Sequence, residues 1–279
     1  MYSRTDGGIM VTRFGNDEFS ELADYISGNY GIDLSKKKIL AECRLNTLIQ
    51  KTGAGSLKEF LSMMKNDATG RMEVELLDKL TTNYTYFLRE DKHFNFLEQE
   101  ILPGIPAGLK NPGYRIWCAG CSTGEECYTL SMYIKQFMKE HLVLFDFHIL
   151  GTDISESALK KAEAGQYPLW ELGKIPEEWQ RAYCNIDQEH GTFTIKKEIL
   201  DTVSFRRGNL LQPFGGQMQY DLILCRNVMI YFNEESRKKM LDNLYMNLKT
   251  GGYLFLGHTE LLSRNHERFQ CVRPAIYRK

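Results

Sequence analysis

Apolar residues recur with helical spacing through the first eighty or so positions. Phe19, Leu22, Ala23 and Ile26 fall at i, i+3, i+4 and i+7, one face of an amphipathic helix punctuated by Gly28 and Gly31. A second helix is expected from about Ser35 to Lys51, with Gly53 just past its last turn. Ser56-Leu-Lys-Glu59 has the form of a capping box, opening a third helix that carries Leu57, Phe60, Leu61 and Met64 inside. A fourth spans about Met72–Leu80. No strand pattern interrupts these, so residues 12–82 read as an all-α domain. From about residue 112 the pattern changes. Short apolar runs at Tyr114–Ala119, Phe145–Gly151, Val203–Arg207, Tyr220–Cys225 and Tyr253–Gly257 alternate with helical stretches at Glu125–Lys139, Ser155–Ala164 and Glu234–Leu248. That alternation argues for βαβ units and a mostly parallel sheet with ligands at the carboxyl ends of its strands. Residues 83–112, ending in the Pro103–Pro112 connector, read as an interdomain segment and linker before an α/β domain over 113–279. Residues 166–200 break the alternation and look like an inserted subdomain with a hairpin around Gly191-Thr-Phe-Thr-Ile195.

Composition narrows the class. The chain has 279 residues, and Lys+Arg 35 against Asp+Glu 36 leaves a net charge of −1, so bulk attraction to nucleic acid or to a membrane surface is not indicated. The longest apolar stretch, around Leu142–Leu150, is interrupted by Asp146 and His148, far short of the ~20 residues of a membrane span. The opening Met1–Gly8 lacks the apolar core of a signal peptide, and residues 1–11 read as an extension. The 7 cysteines sit mostly in apolar runs, as reduced thiols do. A cytoplasmic location is the expectation.

Candidate chemistry lies where strands end. Ile116-Trp-Cys-Ala-Gly-Cys-Ser-Thr-Gly-Glu-Glu126 runs from a strand through Gly120 and Gly124 into a helix. Small residues let backbone approach a ligand there, and the helix start offers free N–H groups; a plain tight turn reads the same way. Asp153, ending Leu150-Gly-Thr-Asp153, is placed either to accept the two hydroxyls of a ribose or to cap the next helix, and the glycine loop before it favours the ribose. Asp221–Cys225 is an apolar strand that exits into Arg226-Asn227, with Tyr231-Phe232 before the next helix. Asn83, Thr85 and Arg89 are polar residues set among the aromatics of Thr81–Glu90. Cys118-Ala-Gly-Cys121 has the spacing of a redox or zinc pair, but no second such pair exists and a structural zinc needs four ligands. His141 and His258 read as packed or surface histidines.

Together these segments resemble the chemotaxis receptor methyltransferase (CheR) family. The matching blocks are Asn83-x-Thr85-x-Phe87-x-Arg89, Ser122-Thr-Gly-Glu-Glu126, Thr152-Asp-Ile154, Asn209-Leu-Leu211, Cys225-Arg-Asn-Val-Met-Ile-Tyr-Phe232 and Gly257-His-Thr-Glu260, in order across nearly everything after residue 12. The chain departs from the family in Leu88, where an aromatic is usual, and in Cys127, where Pro is common. The resemblance implies an α/β fold: a Rossmann-like methyltransferase sheet with a small antiparallel β insert, after an all-α N-terminal domain. It implies S-adenosylmethionine as methyl donor with no metal, and glutamates of chemotaxis receptors as acceptors. It places Asn83, Thr85 and Arg89 in the cofactor pocket and Glu125 at the methionine end. Asp153 would hold the ribose, and Asn209 and Leu210 would flank the adenine. Arg226, with Asn227 beside it, and Tyr231 would face the methyl group, so Arg89, Arg226 and Tyr231 are the catalytic candidates.

Substrate recognition is the less defined part. Lys37, Arg44 and Lys51 recur every seven residues and share a stripe with ~20° drift per heptad. Such a stripe is either a solvated face or, given acidic receptor helices, a steering surface. Some family members also bind a receptor-tail peptide by strand addition to the insert's edge; whether Gly191–Lys197 does so is open. The expected partners are receptor cytoplasmic domains, neither nucleic acid nor membrane, engaged by a monomer. The alternatives are an inactive S-adenosylmethionine-binding adaptor and a methyltransferase for another protein.

Overall fold

The helical spacing of the first eighty residues becomes four helices in the computed structural model, which describes residues 2–4, 10–213, 219–263 and 266–279. They are α1 (Asn16–Tyr30), α2 (Lys38–Thr52), α3 (Leu57–Lys65) and α4 (Arg71–Leu80). Leu22, Ile26, Leu45, Leu57, Phe60, Leu61, Leu76 and Leu77 form their buried faces. Helix α1 runs through Gly28 and stops at Gly31, which takes the left-handed φ of 73° that a glycine adopts without strain. Gly53 ends α2 in the same way, and α2 itself begins after Lys37 rather than at Ser35. The capping box is half as expected. The Ser56 hydroxyl accepts from the Glu59 amide, but the Glu59 carboxylate accepts from Gly55, one residue early. In the expected extension, β1 (Tyr2–Arg4) pairs antiparallel with β2 (Met10–Thr12), and residues 1 and 5–9 lie outside the described residues.

Chain contacts divide the molecule into two units. Residues 1–82 and 231–239 make up the first, 83–230 and 240–279 the second. The second opens with α5 (Asp91–Phe96), whose helical path continues in tighter and wider turns to Gly104. Phe94, Phe96, Leu97, Ile101 and Leu102 are buried in this unit's main core, so much of the expected linker is structural.

The central sheet is built from β3 (Tyr114–Ala119), β4 (Phe147–Asp153), β8 (Val203–Arg207), β9 (Tyr220–Cys225), β10 (Leu248–Leu256), β11 (Gln270–Arg273) and β12 (Ile276–Arg278), in the order β11-β12-β10-β9-β3-β4-β8. Strands β10, β9, β3, β4 and β8 are parallel, as the apolar runs require of strands covered on both faces. Strands β12 and β11 are antiparallel additions that the sequence pattern does not reveal. All four residues of β11 are exposed, so no apolar signal marks it. Strand order reverses between β3 and β9, the switch point where such sheets bind ligands. Helices α6 (Glu125–Glu140), α7 (Glu156–Ala164) and α11 (Glu234–Asn247) supply the crossovers.

The insert is a second, three-stranded antiparallel sheet of β5 (Gln166–Pro168), β6 (Cys184–Asp187) and β7 (Thr192–Ile195), with the short helices α8 (Leu169–Leu172), α9 (Glu177–Tyr183) and α10 (Lys197–Leu200). Phe193, Ile195, Trp179 and Tyr183 pack with Phe87, Tyr128 and Met132 in a separate core. Strand β7 lies between β5 and β6. The Gly191–Lys197 run is therefore already paired on both sides, and any added strand falls to an edge instead. No helix among the described residues is long and apolar enough to cross a membrane.

Candidate functional site

At the switch point the chain leaves β3 into a loop that backbone chemistry holds. Gly120 takes φ 84°, and a Cβ there would meet Val228 at 2.5 Å. Gly124 takes φ 94°, and a Cβ would meet Ala162 at 2.8 Å. Between them Ser122 is forced to φ 50°. Leu88, Glu90 and Asn227 are also left-handed without being glycine, a concentration of strain typical of functional sites.

Asp153 ends β4 and fastens this loop. One oxygen accepts from the Ser122 amide at 2.8 Å and the other from the Ser155 amide at 2.9 Å. The cap of α7 is Ser155, whose hydroxyl accepts from Ala158. Asp153 is thus not the cap that its position allowed. Asn83 joins the same cluster: its amide donates to the Ser155 hydroxyl at 3.0 Å and its carbonyl accepts from the Ser122 hydroxyl at 2.9 Å. Beyond β8, Gly208 donates to the Asp153 carbonyl, the Asn209 side chain accepts from Leu211, and Leu210 is buried.

Glu125 opens α6 and is buried, and its carboxylate accepts from the Thr123 hydroxyl at 2.7–2.8 Å. Burial pushes its carboxyl up to about 7. Glu171 of the insert lies within its electrostatic reach and is also buried, with one carboxylate oxygen unpartnered and a pKa raised by burial. Two buried carboxylates beside a glycine loop, one with an unpartnered oxygen, are suited to a cationic ligand. Glu171 carried no sequence signal, because one acid in a polar insert looks like any other.

The β9–β10 end is built differently. The Arg226 side chain is 2% exposed, with nitrogens 3.1 Å from Glu126 and 3.3 Å from Glu90. It also donates to the Arg89 carbonyl and lies over the Phe94 ring. Desolvation alone would raise Glu90; Arg226 and the Asn227 amide outweigh it and hold the carboxyl below its usual value. Arg226 therefore points into the protein, where the resemblance would have it face a methyl group. Glu260 accepts from the Asn227 and Gly257 amides at 2.7 and 2.9 Å and from Ile230 at 3.2 Å, tying the ends of β9 and β10 together. His93 is 1% exposed; neither ring nitrogen has a hydrogen-bond partner, and Nδ1 lies 3.6 Å from the Glu90 carboxylate. Burial, with Arg226 nearby, lowers it to about 3, so it is neutral at working pH. Glu90, His93 and His258 place donor atoms within 4.8 Å of one another, but Arg226 already supplies the positive charge on the shared carboxylate.

Arg89 lies over the rings of Tyr84 and Tyr86 and donates to the Tyr84 carbonyl, with Thr85 half-buried between them. Cys118, Cys121 and Cys127 are buried free thiols, pushed up by desolvation and unreactive on that account.

The remaining candidates belong to the first unit. Tyr231 accepts from the Asp33 amide through its carbonyl, and the Lys37 ammonium sits 5.1 Å from its ring centroid. Arg44 donates to the carbonyls of Leu80 and Thr81 and to the Thr82 hydroxyl, closing the end of α4. Lys51 is 3.8 Å from Glu75. Of the expected stripe, Arg44 is a helix-end donor, while the Lys51 side chain stays 74% exposed.

A doubly wound sheet with a glycine loop and strand-end acids defines the class of Rossmann-like domains that bind a nucleoside-bearing cofactor at the switch point. The model of the CheR methyltransferase SAM-binding domain matches residues 83–277, and that of the CheR methyltransferase all-alpha domain matches 17–81. The chain belongs to the CheR methyltransferase family. A chemotaxis protein methyltransferase of Borreliella burgdorferi is 39% identical over 268 residues, 94% of each chain. One from Pseudomonas aeruginosa is 35% identical, covering 94% of this chain and 98% of its own.

Proposed function

We propose that the chain transfers a methyl group from S-adenosylmethionine to glutamate side chains of chemotaxis receptors in the cytoplasm, leaving glutamate methyl esters and S-adenosylhomocysteine. The observation that carries this reading is the buried pair Glu125 and Glu171 beside the Asp153-braced glycine loop, in a chain of this family. When bound, S-adenosylmethionine supplies an electrophilic methyl on a cationic sulfonium. Glu125 takes the ammonium of its amino-acid end, Asp153 the ribose hydroxyls, and Asn209 and Leu210 the adenine. The acceptor glutamate, with an ordinary pKa of about 4.3, arrives ionised, so no residue has to remove a proton. The chain's task is positioning, with reacting atoms held roughly 3–3.5 Å apart. Arg89 orients the acceptor carboxylate. Arg226 acts at one remove, donating to the Arg89 carbonyl and pairing with the Glu90 carboxylate, which also accepts from the Asn227 side-chain amide.

Methyl-labelled S-adenosylmethionine, receptor cytoplasmic fragments and mild base test the reading. Label released as methanol, and lost when receptor glutamates are replaced, supports it. Base-stable label contradicts the acceptor class, and absence of label alongside measurable cofactor binding favours an inactive adaptor. Tyr231→Phe should slow turnover more than it weakens cofactor binding; equal loss of both would reduce Tyr231 to a structural part.

A further inference from the structure

Beside Arg89 the surface carries a group of residues that folding leaves unused. Tyr84 is 70% exposed and Trp170 71%, among the largest apolar side chains that the second unit leaves in water. Tyr84 and Tyr86 come from the segment before α5; Trp170 and Lys174 come from α8 and the turn after it. The Lys174 ammonium lies 4.5 Å from the Tyr86 ring centroid and 5.3 Å from that of Trp170. The Arg89 guanidinium lies 5.9 Å from the Tyr84 centroid and 5.8 Å from that of Tyr86. Two cations and three rings therefore interleave in one patch. Neither cation forms an ion pair among the described residues; Lys174 senses Glu171 and Glu125 only at longer range.

Cations laid on aromatic faces are held in place and have shed part of their water, yet keep their outward sides for an anion. Exposed Tyr and Trp with Arg are also the residues that dominate binding at protein interfaces, since they bury much area at little entropic cost. We propose that this patch, Tyr84, Tyr86, Arg89, Trp170 and Lys174, is where the acidic, glutamate-bearing segment of the protein substrate docks. The inference rests on the reading under Proposed function. Charge selects the occupant: Lys174 and Arg89 attract carboxylates, whereas the buried Glu125 and Glu171 behind them would not repel a chain whose own acids stop at the cations. The patch includes Arg89, the residue proposed to orient the acceptor.

The test uses a receptor cytoplasmic fragment ending before its C-terminal tail, binding measured by titration calorimetry, and methanol release measured separately. Trp170→Ala should weaken fragment binding by about tenfold or more, with S-adenosylmethionine affinity unchanged as evidence of an intact fold. Lys174→Ala should weaken binding less and flatten its salt dependence. Equal fragment affinity for wild type and both variants overturns the proposal, while methanol release by the wild type still upholds the methyl-transfer reading. Failure of the fragment to bind the wild type overturns the proposal whatever the methanol result. Binding of a single-stranded oligonucleotide that is lost in Trp170→Ala would assign the patch to nucleic acid and overturn it as well.

Discussion

The two halves of the strand-end region solve the same problem with opposite means. On the β3–β4 side, loop geometry is fixed by neutral backbone and hydroxyl groups gathered on Asp153 and Ser155, and the buried carboxylates of Glu125 and Glu171 have no cationic partner within ion-pair distance among the described residues. On the β9–β10 side, Arg226 is consumed by Glu90 and Glu126, and Glu260 by three backbone amides. The first half is receptive and the second is self-satisfied. Chemistry-bearing residue types at a site therefore do not all touch a ligand, and burial with partner count tells them apart.

Breaking the self-satisfied half should cost most. Arg226→Ala leaves two carboxylates without their counter-charge and should destabilise the protein by about 3–5 kcal/mol in denaturant unfolding. A smaller loss with activity abolished would mean that Arg226 serves substrate more than structure. Glu260→Ala removes the acceptor of three amides at the ends of β9 and β10 and should cost about 2–4 kcal/mol, read in the same titration. On the receptive side, Ser155→Ala removes one cap and the partner of Asn83 and should cost only about 1 kcal/mol. If Ser155→Ala proved as damaging as Arg226→Ala, the contrast between the halves would fail.

The contrast was only partly legible in the sequence. Apolar periodicity revealed α1–α4 and the parallel strands, since those elements bury regular stripes. It missed β11, which buries nothing, and α5 with its extension, whose aromatic residues sit in a segment ending at Pro103 and Pro112. Motif residues Asp153, Glu125 and Arg226 stood out by position at strand ends. What position does not encode is partnership. Arg226 reads the same in the sequence whether it faces solvent or Glu126, and Arg44 reads as part of a stripe until the carbonyls of Leu80 and Thr81 are seen beneath it. Glu171 and Glu90 become visible only when the insert and the β3–β4 loop are brought together in space.

Glu125 gives the central claim its most direct test. Its folded-state pKa of about 7 lies above the ordinary 4.5 because of burial, so ionising it in the native protein is unfavourable. Wild-type stability should accordingly be lost as pH rises from about 4.5 through about 7, while a ligand cation that pairs with the ionised form binds more tightly over the same range. Calorimetric S-adenosylmethionine affinity should be measured from pH 5.5 to 7.5 for wild type and Glu125→Gln. The wild type should tighten as pH rises, by up to about tenfold per unit below the pKa, and the Gln variant should be weaker and flat. A Gln variant that keeps both the affinity and the slope would show that Glu125 does not meet the ligand, and the receptive half would have to be sought elsewhere.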